Sequence, residues 1–233
     1  MEINSSSLKN IARIAGLLYL FLIITGVYGI MYIPSQIIVP GDSVSTAKNI
    51  ISNELLFRTG VLNDLITNTI FLFLVLVLYR LFKLVNESQA KIMFVLVVVQ
   101  IPVVFMMEAF NVTSLMILKG EILKTFELSQ RQDLAILFIN INEYGTLSLE
   151  MFWGLWLLPF GLLVYKSEFI PRILGILLVI GGIAYMIDST IGILFPSYSA
   201  FVKYPSLLLV AIGEISITLW LLIKGVKTKE QKI

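Results

Sequence analysis

Residues 151–195 read MFWGLWLLPFGLLVYKSEFIPRILGILLVIGGIAYMIDSTIGILF. Two apolar runs flank a short charged segment holding Lys166, Glu168 and Arg172, and one carboxylate, Asp188, stands alone inside the second run. A helix rises 1.5 Å per residue, so about 20 apolar residues cross the ~30 Å hydrocarbon core of a bilayer. An apolar run, a charged turn and a second apolar run therefore predict a hairpin of membrane-spanning helices. The lone acid inside one of them raises the functional question.

The rest of the chain repeats this pattern. Of its 233 residues, 58% are hydrophobic and 14% charged, with a mean hydropathy of +0.94; soluble domains carry roughly 25% charged residues. Spans are predicted over 11–33, 61–82, 92–118, 134–164, 170–195 and 206–223, making an all-α, polytopic bundle of six transmembrane helices in a single membrane domain. The fourth span has two readings, because Asn140, Asn142 and Glu143 interrupt its first half: one long helix, or an interfacial helix leading into a span from about Gly145. Lys9 and Arg13 precede the first run as in a signal peptide. The run exceeds the ~7–15 residues of a signal h-region and no A-x-A-type site follows, so it reads as an uncleaved signal anchor.

Loop charge sets the orientation. With the N-terminus inside, Lys9, Arg13, Arg80, Lys83, Lys91, Lys166, Arg172, Lys224, Lys227, Lys229 and Lys232 are cytoplasmic, against Lys48, Arg58, Lys119, Lys124, Arg131 and Lys203 outside. That excess places both termini in the cytoplasm, with a short basic tail over 224–233, and the protein in the cytoplasmic membrane of a prokaryotic cell. In the first outer loop, Pro40-Gly41 reads as a turn, and Asp42 or Ser43 as the cap of a short helix through Ile51. Glu54 and Arg58, four apart, suit an ion pair.

What the chain lacks excludes whole reaction classes. There is no cysteine and no histidine, hence no disulfide, no thiolate nucleophile, no Cys/His zinc site and no imidazole base. No lysine stands in mid-span for a retinal Schiff base, and no cofactor is expected. The cations are scattered over short loops, which speaks against a nucleic-acid partner; the expected partners are the lipid bilayer and a cation or small amine.

The positive signal is acidic. Asp64, Glu108, Glu143, Glu150, Asp188 and Glu214 lie inside apolar stretches that hold no basic residue. Each such carboxylate costs at least ~2.5–3.5 kcal/mol to insert, so it faces a cavity or a partner helix. Counted from the predicted span ends, Glu108, Asp188 and Glu214 fall about 12–15 Å below the outer boundary, Asp64 is somewhat shallower, and Glu150 joins them if its span begins near Glu143. Polar neighbours accompany them at helical spacing: Asn63, Thr67 and Asn68 near Asp64; Asn111 near Glu108; Tyr185 and Ser189 near Asp188; Thr218 near Glu214. The expected site is an outward-facing carboxylate pocket of Asp64, Glu108, Glu150, Asp188 and Glu214 that binds a cationic ligand. The competing reading makes them protonated carboxyls bonded across helix interfaces in a structural or accessory subunit. An intramembrane enzyme holding a hard cation ranks third: Asp64 and Asp188 lack the Tyr-Asp and Gly-x-Gly-Asp settings of aspartyl intramembrane proteases.

Residues 151–167 (MFWGLWLLPFGLLVYKS), 170–178 (IPRILGILL) and 185–189 (YMIDS) resemble the prokaryotic integral-membrane family catalogued as domain of unknown function 4386, as do Ala12–Gly16 (ARIAG), Tyr19, Val39–Asp42 (VPGD), Arg58, Asp64, Gly213-Glu214 and Leu219–Leu222 (LWLL). The resemblance covers nearly the whole chain and implies a multi-pass membrane protein without implying an activity. Family members often carry a histidine where this chain has Asn142, which argues against an essential imidazole there.

With no native cysteine to remove, the single variants Ser43→Cys and Glu168→Cys test the orientation. A membrane-impermeant maleimide added to intact cells labels the first and spares the second; the reverse pattern overturns it.

Overall fold

The computed structural model describes residues 5–226, and the expected basic tail from residue 227 on lies outside the described residues. In chain order the elements are α1 (Ser5–Val27), a π-helical turn (Tyr28–Tyr32), α2 (Ile33–Ile37), α3 (Ser43–Ser52), α4 (Glu54–Phe82), α5 (Glu87–Val98), α6 (Ile101–Leu118), α7 (Leu128–Lys166), α8 (Arg172–Leu194), a 3-10 turn (Pro196–Tyr198) and α9 (Ser199–Ile223). No strand occurs among the described residues. Six stretches are long and apolar enough to cross a membrane: Ser7–Ile37, Glu54–Phe82, Glu87–Leu118, Leu128–Lys166, Arg172–Leu194 and Pro196–Ile223.

The helices overrun the expected spans where a proline is tolerated. The first passes Pro34 because the π turn intervenes: the Ile33 N–H bonds back to the Tyr28 carbonyl, five residues behind, so the ladder changes register just before the residue that has no N–H to give. The sixth begins at Ser199, not Ser206, and contains Pro205. The third is interrupted at Val99-Gln100, immediately before Pro102, where a kink is expected from the sequence. The fourth is one continuous helix of 39 residues with Pro159 inside it, which decides between its two readings. At about 58 Å it is longer than any bilayer core, so part of α7 must stand outside or tilt.

Two compact units emerge from the chain contacts. One holds the described residues up to Phe21, Ile70–Gln100 and those from Leu147 on; the other holds Leu22–Thr69 and Ile101–Thr146.

The first unit is built on a glycine seam between α7 and α8. Gly154 meets Gly182 and Gly161 meets Gly175, so the two glycines on each helix are seven residues apart and run in opposite directions. A Cβ on Gly161 would lie 2.6 Å from the Gly175 carbonyl oxygen, and one on Gly175 would lie 2.5 Å from that of Gly161. Seven-residue spacing returns to the same helix face, so the backbones stay in contact over two turns. α9 packs extensively on α8. Beside the seam lies an aromatic core: Trp156 and Phe160 stack at 5.3 Å, Tyr19 of α1 lies 6.1 Å from Trp156, and Phe82 meets Phe160 edge-on at 5.8 Å.

The second unit closes over a core of Ile33, Ile37, Ile50, Phe57, Leu115 and Ile136, among others. Asp42 caps α3 as expected, accepting from the Ser45 N–H at 2.9 Å and the Ser45 hydroxyl at 2.6 Å. Those bonds, the hydroxyl's first, hold its carboxyl below the usual carboxylate range. Gly41 before it takes φ +76°, the left-handed conformation the turn requires. Arg58 pairs with Glu54 at 2.8 Å, and Lys119 joins the same carboxylate at 3.1 Å.

Gly161→Val forces the α7–α8 backbones apart and lowers the stability of the detergent-solubilised protein by about 1–3 kcal/mol, the usual cost of overpacking. Gly26→Ala, at a position with open space around it, leaves it unchanged. Equal denaturation midpoints for the two variants would show that the seam does not hold the unit together.

Candidate functional site

The five expected acids divide between the two units. Asp64 and Glu108 belong to the unit that contains the π turn, whereas Glu150, Asp188 and Glu214 belong to the unit of the glycine seam. Glu143 is exposed on α7.

Asp64 and Glu108 are satisfied by amides. On α4, the Asn63 side chain donates to the Thr25 carbonyl at 2.9 Å and to Asp64 Oδ1 at 3.1 Å. Gly29, inside the π turn, has no side chain to obstruct this: a Cβ there would collide with Asp64 Oδ1 and lie 2.8 Å from Asn63 Nδ2. Glu108 on α6 is 3% exposed. It accepts from Asn111 at 3.0 Å through Oε2 and from Asn142 of α7 at 3.4 Å through Oε1. Asn142 also reaches the Met107 carbonyl at 3.4 Å, tying α7 to α6. A buried polar group with partners holds helices together in an apolar surrounding, and one without them is expensive.

The other three acids stand differently. Glu214 of α9 accepts a hydrogen bond from the hydroxyl of fully buried Tyr19 at 3.1 Å. Asp188 of α8 is only 7% exposed, and its carboxylate has no hydrogen-bond partner among the described residues. Glu150 of α7 is half-buried, and its Oε2 is buried with no partner. Glu150 and Asp188 lie near enough to interact through their charges, and Tyr185 is within electrostatic range of both and of Glu214. The Tyr185 ring meets Trp153 edge-on at 5.7 Å. Three helices thus bring carboxylates around one aromatic pair, and two of the three carboxylates have unused acceptor capacity.

Sequence reading missed three participants. Lys203, expected in the loop before the sixth span, is carried on α9 because that helix starts at Ser199; it is exposed, and its charge acts on Glu150 and Asp188. A longer helix than Pro205 seemed to permit was the missing signal. Tyr19 and Gly29 carry no charge or motif to single them out. They acquire roles only through contacts with Glu214, 195 residues away along the chain, and with Asp64. No group of three or more acids has metal-holding geometry among the described residues. The two best-formed cavities, of about 170 and 400 Å³, are apolar, and neither is lined by any of the five acids.

A family model described as "Domain of unknown function (DUF4386)" matches residues 14–225, in line with the resemblance read from the sequence. A stretch of 93 residues, 40% of this chain, is 33% identical to an "Uncharacterized protein" of Archaeoglobus fulgidus. The chain spans about half the length (51%) of that curated relative. No solved structure matches the chain.

If Asn111 and Asn142 exist to satisfy Glu108, then Asn111→Leu/Asn142→Leu strands a buried carboxyl and destabilises the protein by about 1–3 kcal/mol or more. Adding Glu108→Leu to that pair restores most of the loss. Thermal denaturation of the double and triple variants checks this, and a triple variant no more stable than the double overturns it.

Proposed function

The chain belongs to the DUF4386 family, and we propose that it binds a small organic cation, an amine, through Glu150, Asp188 and Glu214. The observation that carries this reading is the unused acceptor capacity of Asp188 and Glu150. Buried carboxylates without partners call for protons or for a cationic guest. The Trp153–Tyr185 pair beside them offers ring faces on which an ammonium is stabilised. A divalent metal fits less well, since the acids lack the geometry to converge on one ion. In this reading Asp64 and Glu108, bonded to their asparagines, hold helices together and do not bind the ligand.

The site lies in a protein of the cytoplasmic membrane of a prokaryotic cell and is approached from the outer face. Since protons and the ammonium compete for the same oxygens, a transporter built on them exchanges one for the other. The competing reading, a structural or accessory membrane subunit with protonated acids, has one observation in its favour: no cavity described above is lined by the acids.

The two readings part in a melting experiment on the detergent-purified full chain from pH 5 to 9, with a panel of organic amines and divalent cations. An amine at a hundredfold excess over its dissociation constant stabilises the folded state by about 2.7 kcal/mol. That gain is greatest at high pH, where no proton competes, and disappears in Asp188→Asn. Melting that is indifferent to every amine across the range, in wild type and variant alike, overturns the binding site and favours the structural subunit.

A further inference from the structure

A second feature of the same unit faces outward. Between α8 and α9 runs a cavity of about 400 Å³ lined by Ile180, Ile183 and Ile187 on one side and Val202 and Leu209 on the other. The three isoleucines recur at i, i+3 and i+7, a continuous stripe about 10 Å long on one face of α8. They are 40, 47 and 48% exposed, so the groove opens away from the protein. α8 and α9 otherwise meet backbone to backbone: a Cβ on Gly213 would lie 2.9 Å from the Leu177 carbonyl oxygen.

At the N-terminal end of α9 the chemistry changes. Tyr198, Phe201 and Tyr204 are 62, 77 and 75% exposed, the arrangement of amphipathic rings found where a membrane meets water. Lys203 stands among them, one residue after Val202 of the groove wall. It is exposed and forms no ion pair among the described residues. An apolar channel below and an unpaired cation at the aromatic rim match one kind of amphiphile: hydrocarbon chain below, negative charge above. A hydrophilic ammonium fits neither part.

We propose that the α8–α9 groove binds a phospholipid of net negative headgroup, its acyl chain along Ile180, Ile183 and Ile187 and its phosphate on the Lys203 ammonium. The site is separate from the carboxylate cluster and does not depend on that cluster binding an amine. Because the Lys203 charge also acts on Glu150 and Asp188, a lipid phosphate on the ammonium would shift the balance of charge at those acids.

Native mass spectrometry of the full chain released from micelles tests this, with palmitoyl-oleoyl phosphatidylglycerol and palmitoyl-oleoyl phosphatidylcholine as probes. The expected result is preferential retention of phosphatidylglycerol. Lys203→Gln lowers its apparent affinity about fivefold, the contribution of one surface lysine, and leaves phosphatidylcholine unchanged. Ile183→Trp, which fills the groove, lowers retention of both lipids. Equal retention of the two lipids by the wild type, or a Lys203→Gln protein indistinguishable from it, overturns the proposal. So does a lipid-free dimer that Ile183→Trp dissociates, which would assign the groove to a second copy of the chain. Lys203 is exposed and its replacement disturbs no packing, so that arm decides even if the groove-filling variant does not fold.

Discussion

Backbone contact between α7 and α8 is the constraint on which the larger unit rests. In lipid, apolar side chains gain little by leaving one apolar medium for another, so helices are held by close packing and polar bonds. The paired glycines remove every side chain from the line of contact and let the carbonyls of one helix touch the other. With that register fixed, Glu150 lies four residues from Gly154, and Tyr185 three residues from Gly182, on turns adjoining the crossing. The candidate site is thus a consequence of the seam. Its carboxylates are brought together by helices that could not approach as closely if either pair of glycines carried side chains.

The acids illustrate how environment separates residues of identical chemistry. Glu108 and Asp64 have amide donors supplied from their own or neighbouring helices, and these bonds account for their presence in an apolar stretch. Asp188 is as deeply buried as many core residues yet has nothing of the kind. Natural proteins keep unsatisfied buried groups rarely, and such groups concentrate where a ligand or proton completes them. The division into satisfied and unsatisfied carboxylates, more than their number, makes Glu150, Asp188 and Glu214 the place to look for function.

Much of the architecture was legible in the residues because it follows from local rules. Apolar length marks six spans, Asp42 marks a helix start, and Glu54 and Arg58 declare their pairing by spacing alone. What escaped was set by tertiary context. Pro34 and Pro205 read as boundaries, since an isolated helix cannot satisfy the carbonyl a proline leaves open, yet both lie within helical stretches here. A common depth for the five acids could be counted along the chain. Which acid meets which partner could not, because Tyr19 meets Glu214 and Asn142 meets Glu108 only through contacts distant in sequence. The polar stripe around Asp64 was visible, but the bare backbone at Gly29 that receives its carboxylate was not.

The π turn at Tyr28–Tyr32 sets a phase as well as accommodating a proline. An α-helix advances about 100° per residue, so the wider turn offsets everything after it by roughly that angle relative to an uninterrupted helix. In this chain the offset lets Gly29 present bare backbone to Asp64 while Ile33 and Ile37 point into the apolar core. A regular helix of the same sequence would have to choose between those two faces. The turn therefore works as a mechanical index: the number of residues between Tyr28 and Tyr32 decides which surface each half of the strand of helix shows, and a chain one residue shorter there would keep its hydrophobicity while losing its aim.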